Sequence, residues 1–172
     1  MSQNRRLFIG VTVLVLMVAL VMGVESFRRQ QAVSEQSQMP PGMPTAAPGS
    51  IPIYLDDQLV GAFTPADLDQ LPEASFNDAE QGTLQEGWML ADVLQLYVAE
   101  DALLPETEVL VRSKHRGKMA TLSWAEIAAP ENMVMFDLSG RGTLKLVSLL
   151  PQLDARAEWV QDSDEIRITT AK

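Results

Sequence analysis

The sequence predicts an α+β fold with mainly antiparallel sheets and short helices, preceded by one N-terminal transmembrane helix. Three observations support this prediction: one long apolar run near the N-terminus, short strand patterns joined by turn residues from Ile51 onward, and helix patterns that are few and short. A parallel connection between neighbouring strands needs a dozen or more residues, usually a helix. With so few helices, we expect most strands to pair antiparallel.

The apolar run extends from Leu7 to Val24 and contains no charged side chain. A helix of this length would be about 27 Å long, which is close to the hydrocarbon thickness of a bilayer. We interpret it as a retained anchor that binds the lipid bilayer; a cleaved signal peptide, with Gly23 or Ser26 near the cleavage site, is the alternative. Residues 1–6 hold two Arg and no acid, so the positive-inside rule favours a cytoplasmic N-terminus.

Residues 25–50 form a linker rich in Pro and Gln, with Pro at positions 40, 41, 44 and 48. This stretch has too few large apolar side chains to offset its ordering entropy by burial. Residues 51–172 are then the extracytoplasmic domain, which is periplasmic or extracellular in a single-pass membrane protein. About 120 residues are enough for one core between two packed layers.

The domain's elements follow from local patterns. Thr64 and Pro65 form an N-cap and a first helical residue, which predicts a short helix that ends by Pro72. Apolar residues at helical spacing predict an amphipathic helix over 88–98, and the capping box from Ser123 to Glu126 predicts a third short helix. The strand patterns lie at 51–55, 59–63, 83–86, 107–113, 118–122, 133–138, 143–149 and 165–169. In the last strand, alternation places Glu165 on the solvent face, and residues 162–165 are predicted to form the turn before it.

Composition excludes several functions. The chain has no Cys and one His, so thiol nucleophiles, zinc–thiolate sites and iron–sulfur clusters are ruled out. Its formal net charge is −10, and the domain from residue 51 carries 9 Lys/Arg against 21 Asp/Glu. Such a balance argues against nucleic-acid binding, which needs Lys and Arg to neutralise phosphates. We find no constellation of catalytic residues or metal ligands in the sequence.

A series of apolar and turn motifs between residues 52 and 170 resembles the molybdopterin-binding domain of the sulfite oxidase superfamily, in its small single-domain form. The motifs are G-W-M-L-A-D-V-L from Gly87, V-L-V-R-S from Val109, A-T-L-S-W-A-E-I from Ala120, M-V-M-F-D-L from Met133, R-G-T-L-K-L-V from Arg141 and E-W-V…E-I-R-I from Glu158. The resemblance implies a sulfite oxidase-like, β-grasp-containing fold. It also implies a molybdenum held by a Cys thiolate and the pterin dithiolene, but this chain has no Cys. We therefore expect the fold without its metal; a molybdopterin-dependent oxidoreductase with an atypical or degenerate site is the alternative.

One basic segment interrupts the acidic domain and supplies the candidate binding residues. No acid lies between Glu108 and Glu126, and basic residues recur at every second position, so they project from one face wherever the backbone is extended. The candidates for binding a ligand or partner are Arg112, Lys114, His115, Arg116 and Lys118, joined by Arg141 and Lys145 from the next hairpin. A positive patch of this kind suits an anionic ligand, an acidic partner or lipid headgroups. The alternative is a solvated hairpin whose charges protect a sheet edge.

Together these features predict a membrane-anchored, extracytoplasmic binding or accessory domain without an active site. A protein partner in a membrane complex is the expected ligand, and no cofactor is expected apart from the molybdopterin of the alternative interpretation.

Overall fold

Ten strands build two sheets in the computed structural model, which describes residues 46–78 and 80–171. In chain order, the strands are β1 (Ile51–Leu55), β2 (Gln58–Phe63), β3 (Glu73–Asn77), β4 (Leu84–Met89), β5 (Glu108–Ser113), β6 (Lys118–Ser123), β7 (Met135–Leu138), β8 (Leu144–Val147), β9 (Val160–Gln161) and β10 (Glu165–Thr169). The described α-helices are α1 (Leu90–Gln95) and α2 (Trp124–Ala128), and the 3-10 helices are Pro65–Gln70, Glu100–Ala102 and Pro130–Asn132.

The first sheet has the strand order β2-β1-β10-β5-β6 and the second has the order β3-β4-β7-β8-β9. Neighbouring strands pair antiparallel except β1 and β10, which run parallel with Ile53 opposite Ile166. The predicted α+β class with mainly antiparallel sheets is therefore confirmed.

A single large apolar core joins the two sheets. Phe63 of β2 and Phe136 of β7 have ring centroids 6.1 Å apart, and both side chains are fully buried. Ile166 and Ile168 of the central strand β10 belong to the same core, as do alternate residues of the second sheet. Because successive side chains of a strand point to opposite faces, the residues between these core positions lie on the outer face of each sheet.

The outer face of the second sheet carries a second, smaller apolar cluster. Met135 of β7, Val147 of β8 and Trp159 form its buried part. Asp137 lies two positions after Met135 in β7, and Lys145 lies two positions before Val147 in β8, so all four side chains share this face. Asp137 and Lys145 lie opposite each other in the β7–β8 register. Trp159 thus packs where the apolar part of the face meets its polar part, and this placement positions the site described below.

Predictions from local patterns agree with much of this structure. The strand patterns at 51–55 and 59–63 correspond to β1 and β2, which pair antiparallel, and the Ser123–Glu126 capping box opens α2 with both of its reciprocal hydrogen bonds. The helix predicted from residue 88 was wrong at its start. Trp88 belongs to β4, where it pairs with Glu73 and Phe136, and the helix begins at Leu90.

The predicted membrane segment, residues 7–24, lies outside the described residues, as do the N-terminal segment 1–6 and the linker up to residue 45. In the part of the chain that the structure describes, no helix combines the length and the apolar composition needed to cross a bilayer. The anchor therefore stays a prediction from the sequence.

Gly87 allows β4 and β7 to approach each other. It lies opposite Asp137, and a Cβ on Gly87 would be 1.8 Å from the Phe136 carbonyl oxygen. We predict that Gly87→Ala lowers the free energy of unfolding by about 2 kcal/mol or more, because backbone must move to admit the methyl group. Urea unfolding of the full chain in detergent, followed by tryptophan fluorescence, measures this loss. The control is Gly140→Ala, whose Cβ meets nothing within 4 Å, so its effect should stay within about 0.5 kcal/mol; equal effects of the two variants would contradict the account.

Candidate functional site

The acidic run Asp162–Glu165 receives the basic hairpin formed by β5 and β6. Asp164 accepts the backbone N–H of Lys114 at 2.9 Å and that of His115 at 3.4 Å. The Asp164 N–H in turn donates to the carbonyl of Arg112. The segment predicted as a turn at 162–165 connects β9 to β10, but its last residue, Glu165, already belongs to β10. The segment fixes the base of the hairpin by backbone as well as side-chain contacts.

Glu165 is the buried member of this run. Its carboxylate lies 2.6 Å from Arg112 Nη2, 2.5 Å from Lys114 Nζ and 2.6 Å from Arg167 Nε, and only 1% of the side chain is exposed. Burial raises the pKa of this carboxyl, but the hydrogen bonds from Lys114, Arg167 and Arg112 outweigh burial and hold the pKa below its usual range. The predicted solvent exposure of Glu165 was therefore wrong, since three basic side chains cover the carboxylate on its outer face.

Asp162 connects two different hairpins. Thr143 Oγ1 donates to its carboxylate at 2.6 Å, Arg116 Nε donates to it from the β5–β6 turn, and Arg141 Nη2 lies at 3.1 Å from the β7–β8 turn. The hydrogen bond from Thr143, followed by that from Arg116, lowers the pKa of Asp162 to about 2. The Asp162 carboxylate therefore holds the side chains of Arg116 and Arg141 close to each other.

Lys145 forms the polar end of the outer face of the second sheet. Its Nζ lies 3.2 Å from Asp137 Oδ2, donates to Gln85 Oε1 at 2.8 Å and sits 4.9 Å from the centroid of the Trp159 ring. Trp159 is itself fixed, because its Nε1–H donates to the Leu153 carbonyl at 3.1 Å. The ammonium group is therefore held over an aromatic face by a carboxylate and an amide.

Three adjoining hollows meet at Trp159 and Arg156, and we call them together the Trp159 groove. The first lobe, about 250 Å³, is lined by Ser139, Gly140, Arg141, Lys145, Arg156, Trp159 and Gln161. The second lobe, about 240 Å³, is lined by Arg116, Lys118, Arg156, Ala157, Trp159 and Gln161. The third lobe, about 90 Å³, is lined by Asp78, Gln81, Thr83, Gln85, Lys145, Arg156 and Trp159.

Two cations of the groove have no carboxylate partner among the described residues. The backbone N–H of Arg156 donates to the Glu80 carboxylate. The Arg156 guanidinium forms no ion pair with any of the described residues. Lys118 Nζ donates to the Ala157 carbonyl at 2.6 Å, which leaves its charge without a counter-charge there. These two side chains are the groove's open cations, and an incoming anion would meet them first.

The structure divides the predicted binding residues into two groups. It brings Arg116, Lys118, Arg141 and Lys145 together around Trp159. The remaining three lie elsewhere: Arg112 and Lys114 neutralise Glu165, and His115 lies in the exposed turn of the hairpin.

Sequence reasoning missed the two residues that line all three lobes, Arg156 and Trp159. Arg156 is the single basic residue between Lys145 and Arg167, and it lies only three positions before Trp159. Trp159 is 5% exposed and packs in the outer cluster, and it also forms a wall of all three lobes. A lone Arg close to a Trp was the available signal, but nothing local showed that both face the basic hairpin.

The groove does not offer the donor set that the resemblance to the sulfite oxidase superfamily implies. Its side chains are chiefly guanidinium, ammonium, amide, hydroxyl and indole groups, and the chain contains no thiol. The described residues also contain no group of three or more His, Cys, Asp or Glu side chains placed to hold a metal ion. The first two lobes therefore attract anions and provide no soft ligand for molybdenum.

Comparison with protein-family models and with curated proteins finds no match to this chain. A fold by itself does not establish a function. The function must therefore be argued from the residues of the Trp159 groove.

The low pKa of Asp162 predicts how stability depends on pH. The pKa of the Asp162 carboxyl is about 2 in the folded state, whereas its ordinary value is 3.8. Because the folded state favours the ionised carboxylate, this group stabilises the fold above about pH 4, and the contribution is lost as the pH falls from about 4 to about 2. We expect Asp162→Asn to lower the free energy of unfolding by about 1 to 2 kcal/mol at pH 6, since the ion pairs are partly screened by solvent. The difference from wild type should narrow below pH 4.

Urea unfolding at a series of pH values measures this difference. Asp69→Asn, at an exposed position of the first 3-10 helix, is the control and should change stability by less than about 0.5 kcal/mol at pH 6. A difference for Asp162→Asn that stays constant from pH 6 to pH 2 would show that its carboxylate is not held in the ionised form.

Proposed function

We propose that residues 51–172 form the non-catalytic binding domain of a membrane-anchored, extracytoplasmic accessory protein, and that the Trp159 groove binds an acidic segment of a protein partner in a membrane complex. The observation that carries the proposal is the pair of open cations, Arg156 and Lys118, in a concave groove that already holds three further basic side chains. Both side chains are exposed, so a ligand can reach them, and a cation without a counter-charge favours an anion beside it.

The charge of the surroundings makes the groove selective. The domain from residue 51 carries 21 acidic residues against 9 basic ones, and five of the basic ones line the groove. A local positive recess on a negative domain attracts a short acidic segment, whereas the overall field repels a long polyanion. This combination agrees with the exclusion of nucleic acid made from composition.

The shape of the groove favours a protein segment over a lipid surface. Its cations line recesses of about 250 and 240 Å³ that Trp159 and Gln161 also line, and four of the five cations are exposed there. Binding sites for discrete groups are concave, and Trp and Arg are the residue types that most often dominate protein interfaces. A side chain of a partner can enter such a recess.

The predicted tether limits where the partner can be. A linker of residues 25–50 spans roughly 80 Å if it is fully extended as polyproline II and about 30 Å on average if it is a flexible coil. A groove held within this distance of the bilayer meets proteins of the same membrane at high local concentration. This supports a partner within a membrane complex.

The finer identity of the fold is a further part of the proposal. We infer that the domain derives from a sulfite oxidase-like, β-grasp-containing fold that has lost its metal ligand. Its support is the order of the motifs from Gly87 to the last strand, together with the missing Cys and the cationic character of the groove.

A photo-crosslinking experiment tests the proposed partner. Gly140 lines the first lobe, and a Cβ built there meets nothing within 4 Å, so it is a suitable position for a photoreactive amino acid. Irradiation of intact membranes followed by mass spectrometry should identify a crosslinked segment of a membrane-complex protein that carries Asp or Glu. We expect Arg156→Glu and Lys118→Glu each to reduce the crosslinked yield at least tenfold, because each reverses an open cation.

The control is the double variant Gln58→Glu and Gln95→Glu, which lowers the net charge by the same two units as Lys118→Glu does, at two exposed positions that line none of the three lobes. It should leave the yield within about twofold of wild type. The proposal is wrong if the crosslinked segment contains no acidic residue, or if all three variants reduce the yield equally.

A further inference from the structure

The first and second lobes of the Trp159 groove are built alike. Each contains one arginine that Asp162 holds in place, Arg141 in the first lobe and Arg116 in the second. A lysine accompanies each arginine, Lys145 and Lys118 respectively. The two lobes thus have the same kinds of cation and nearly equal volumes, about 250 and 240 Å³, but Lys145 is paired with Asp137 whereas Lys118 has no carboxylate partner among the described residues.

Three residues separate the lobes and belong to both of them: Arg156, Trp159 and Gln161. The open guanidinium of Arg156 therefore borders two recesses, and its five N–H donors allow it to serve an anion on each side. Asp162 pairs with one arginine of each lobe and so holds the two recesses in a fixed relation.

The third lobe does not extend this pattern. It contains the carboxylate of Asp78, which accepts the backbone N–H of Gln81 at 2.7 Å and that of Thr83 at 2.9 Å. These hydrogen bonds lower the pKa of Asp78, that from Gln81 most strongly, and keep it charged. A negative charge there repels a second one, so acidic groups of a ligand are directed to the first and second lobes.

We propose that the groove recognises two acidic side chains of one segment, one in each lobe, with Arg156 between them. The proposal rests on the proposed function and names the feature by which the partner is selected. When one acidic group of a segment is bound in one lobe, it holds the other acidic group at a high effective concentration near the second lobe. Such linkage raises the affinity of the segment by a factor of about 100 or more when the geometry fits. A segment with one acidic group uses one lobe only.

Short synthetic peptides measure this directly on the full chain in detergent micelles. The probes are an acetylated, amidated glycine peptide with one central Glu and a series with two Glu separated by one, two or three Gly. Inorganic pyrophosphate serves as a compact anion that occupies a single lobe. Isothermal titration at low ionic strength gives the dissociation constants.

We expect at least one peptide with two Glu to bind tenfold or more tightly than both the peptide with one Glu and pyrophosphate. Lys118→Met, which removes a cation from the second lobe alone, should weaken that peptide at least tenfold. Gln95→Glu lowers the net charge by the same single unit at an exposed position of α1, so it is the matched control and should change the affinity by less than twofold.

The proposal is overturned if no peptide with two Glu exceeds the peptide with one Glu by tenfold, or if pyrophosphate binds as tightly as the best peptide. The proposed function still holds after such a result if the crosslinked partner segment is acidic and Arg156→Glu reduces the crosslinked yield. If Arg156→Glu does not reduce the yield, the proposed function itself is wrong, so the two failures are distinguishable.

Discussion

The buried carboxylate of Glu165, shared by Arg112, Lys114 and Arg167, is the interaction on which the rest of the domain depends. It lies on β10, the central strand of the first sheet, and binds the neighbouring strand β5 at the point where its hairpin begins. Removing one partner from a fully buried ion pair costs about 3 to 5 kcal/mol. The cost is smaller here, because 33% of the Arg112 side chain and 56% of the Lys114 side chain are exposed and solvent screens their charges. The cluster therefore fixes the position from which Arg116 and Lys118 reach the groove.

The same arrangement decides which basic residues are available for binding. The acidic run uses Asp162 and Glu165 to neutralise most of the basic hairpin, and Asp164 to hold its backbone. A cation that is paired in this way contributes less to the binding free energy of an anionic ligand, since the ligand must compete with a fixed carboxylate. Arg156 and Lys118, which have no carboxylate partner among the described residues, are left to carry the attraction for an anion.

Local patterns in the sequence predicted the elements better than the contacts between them. The capping box at Ser123 and the strand alternation depend on residues a few positions apart, so the class of the fold could be predicted. The burial of Glu165 depends on Arg112, which lies opposite it in the β5–β10 register although 53 positions separate them in the chain. Four of the five basic residues of the groove could be predicted from the basic hairpins, but the position of Arg156 depends on how the loop before β9 folds back, which no local pattern shows.

The most direct test of the account is the exchange of the arginine Nε–H protons with water, measured by NMR on the full chain in detergent. The Nε–H groups of Arg116 and Arg167 donate to carboxylates, so they should exchange slowly and give separate signals. The Nε–H of Arg156, assigned with Arg156→Lys, should exchange fast and become protected when an acidic segment occupies the groove. Protection of Arg156 equal to that of Arg116 and Arg167 in the free chain would contradict the claim that Arg156 is an open cation.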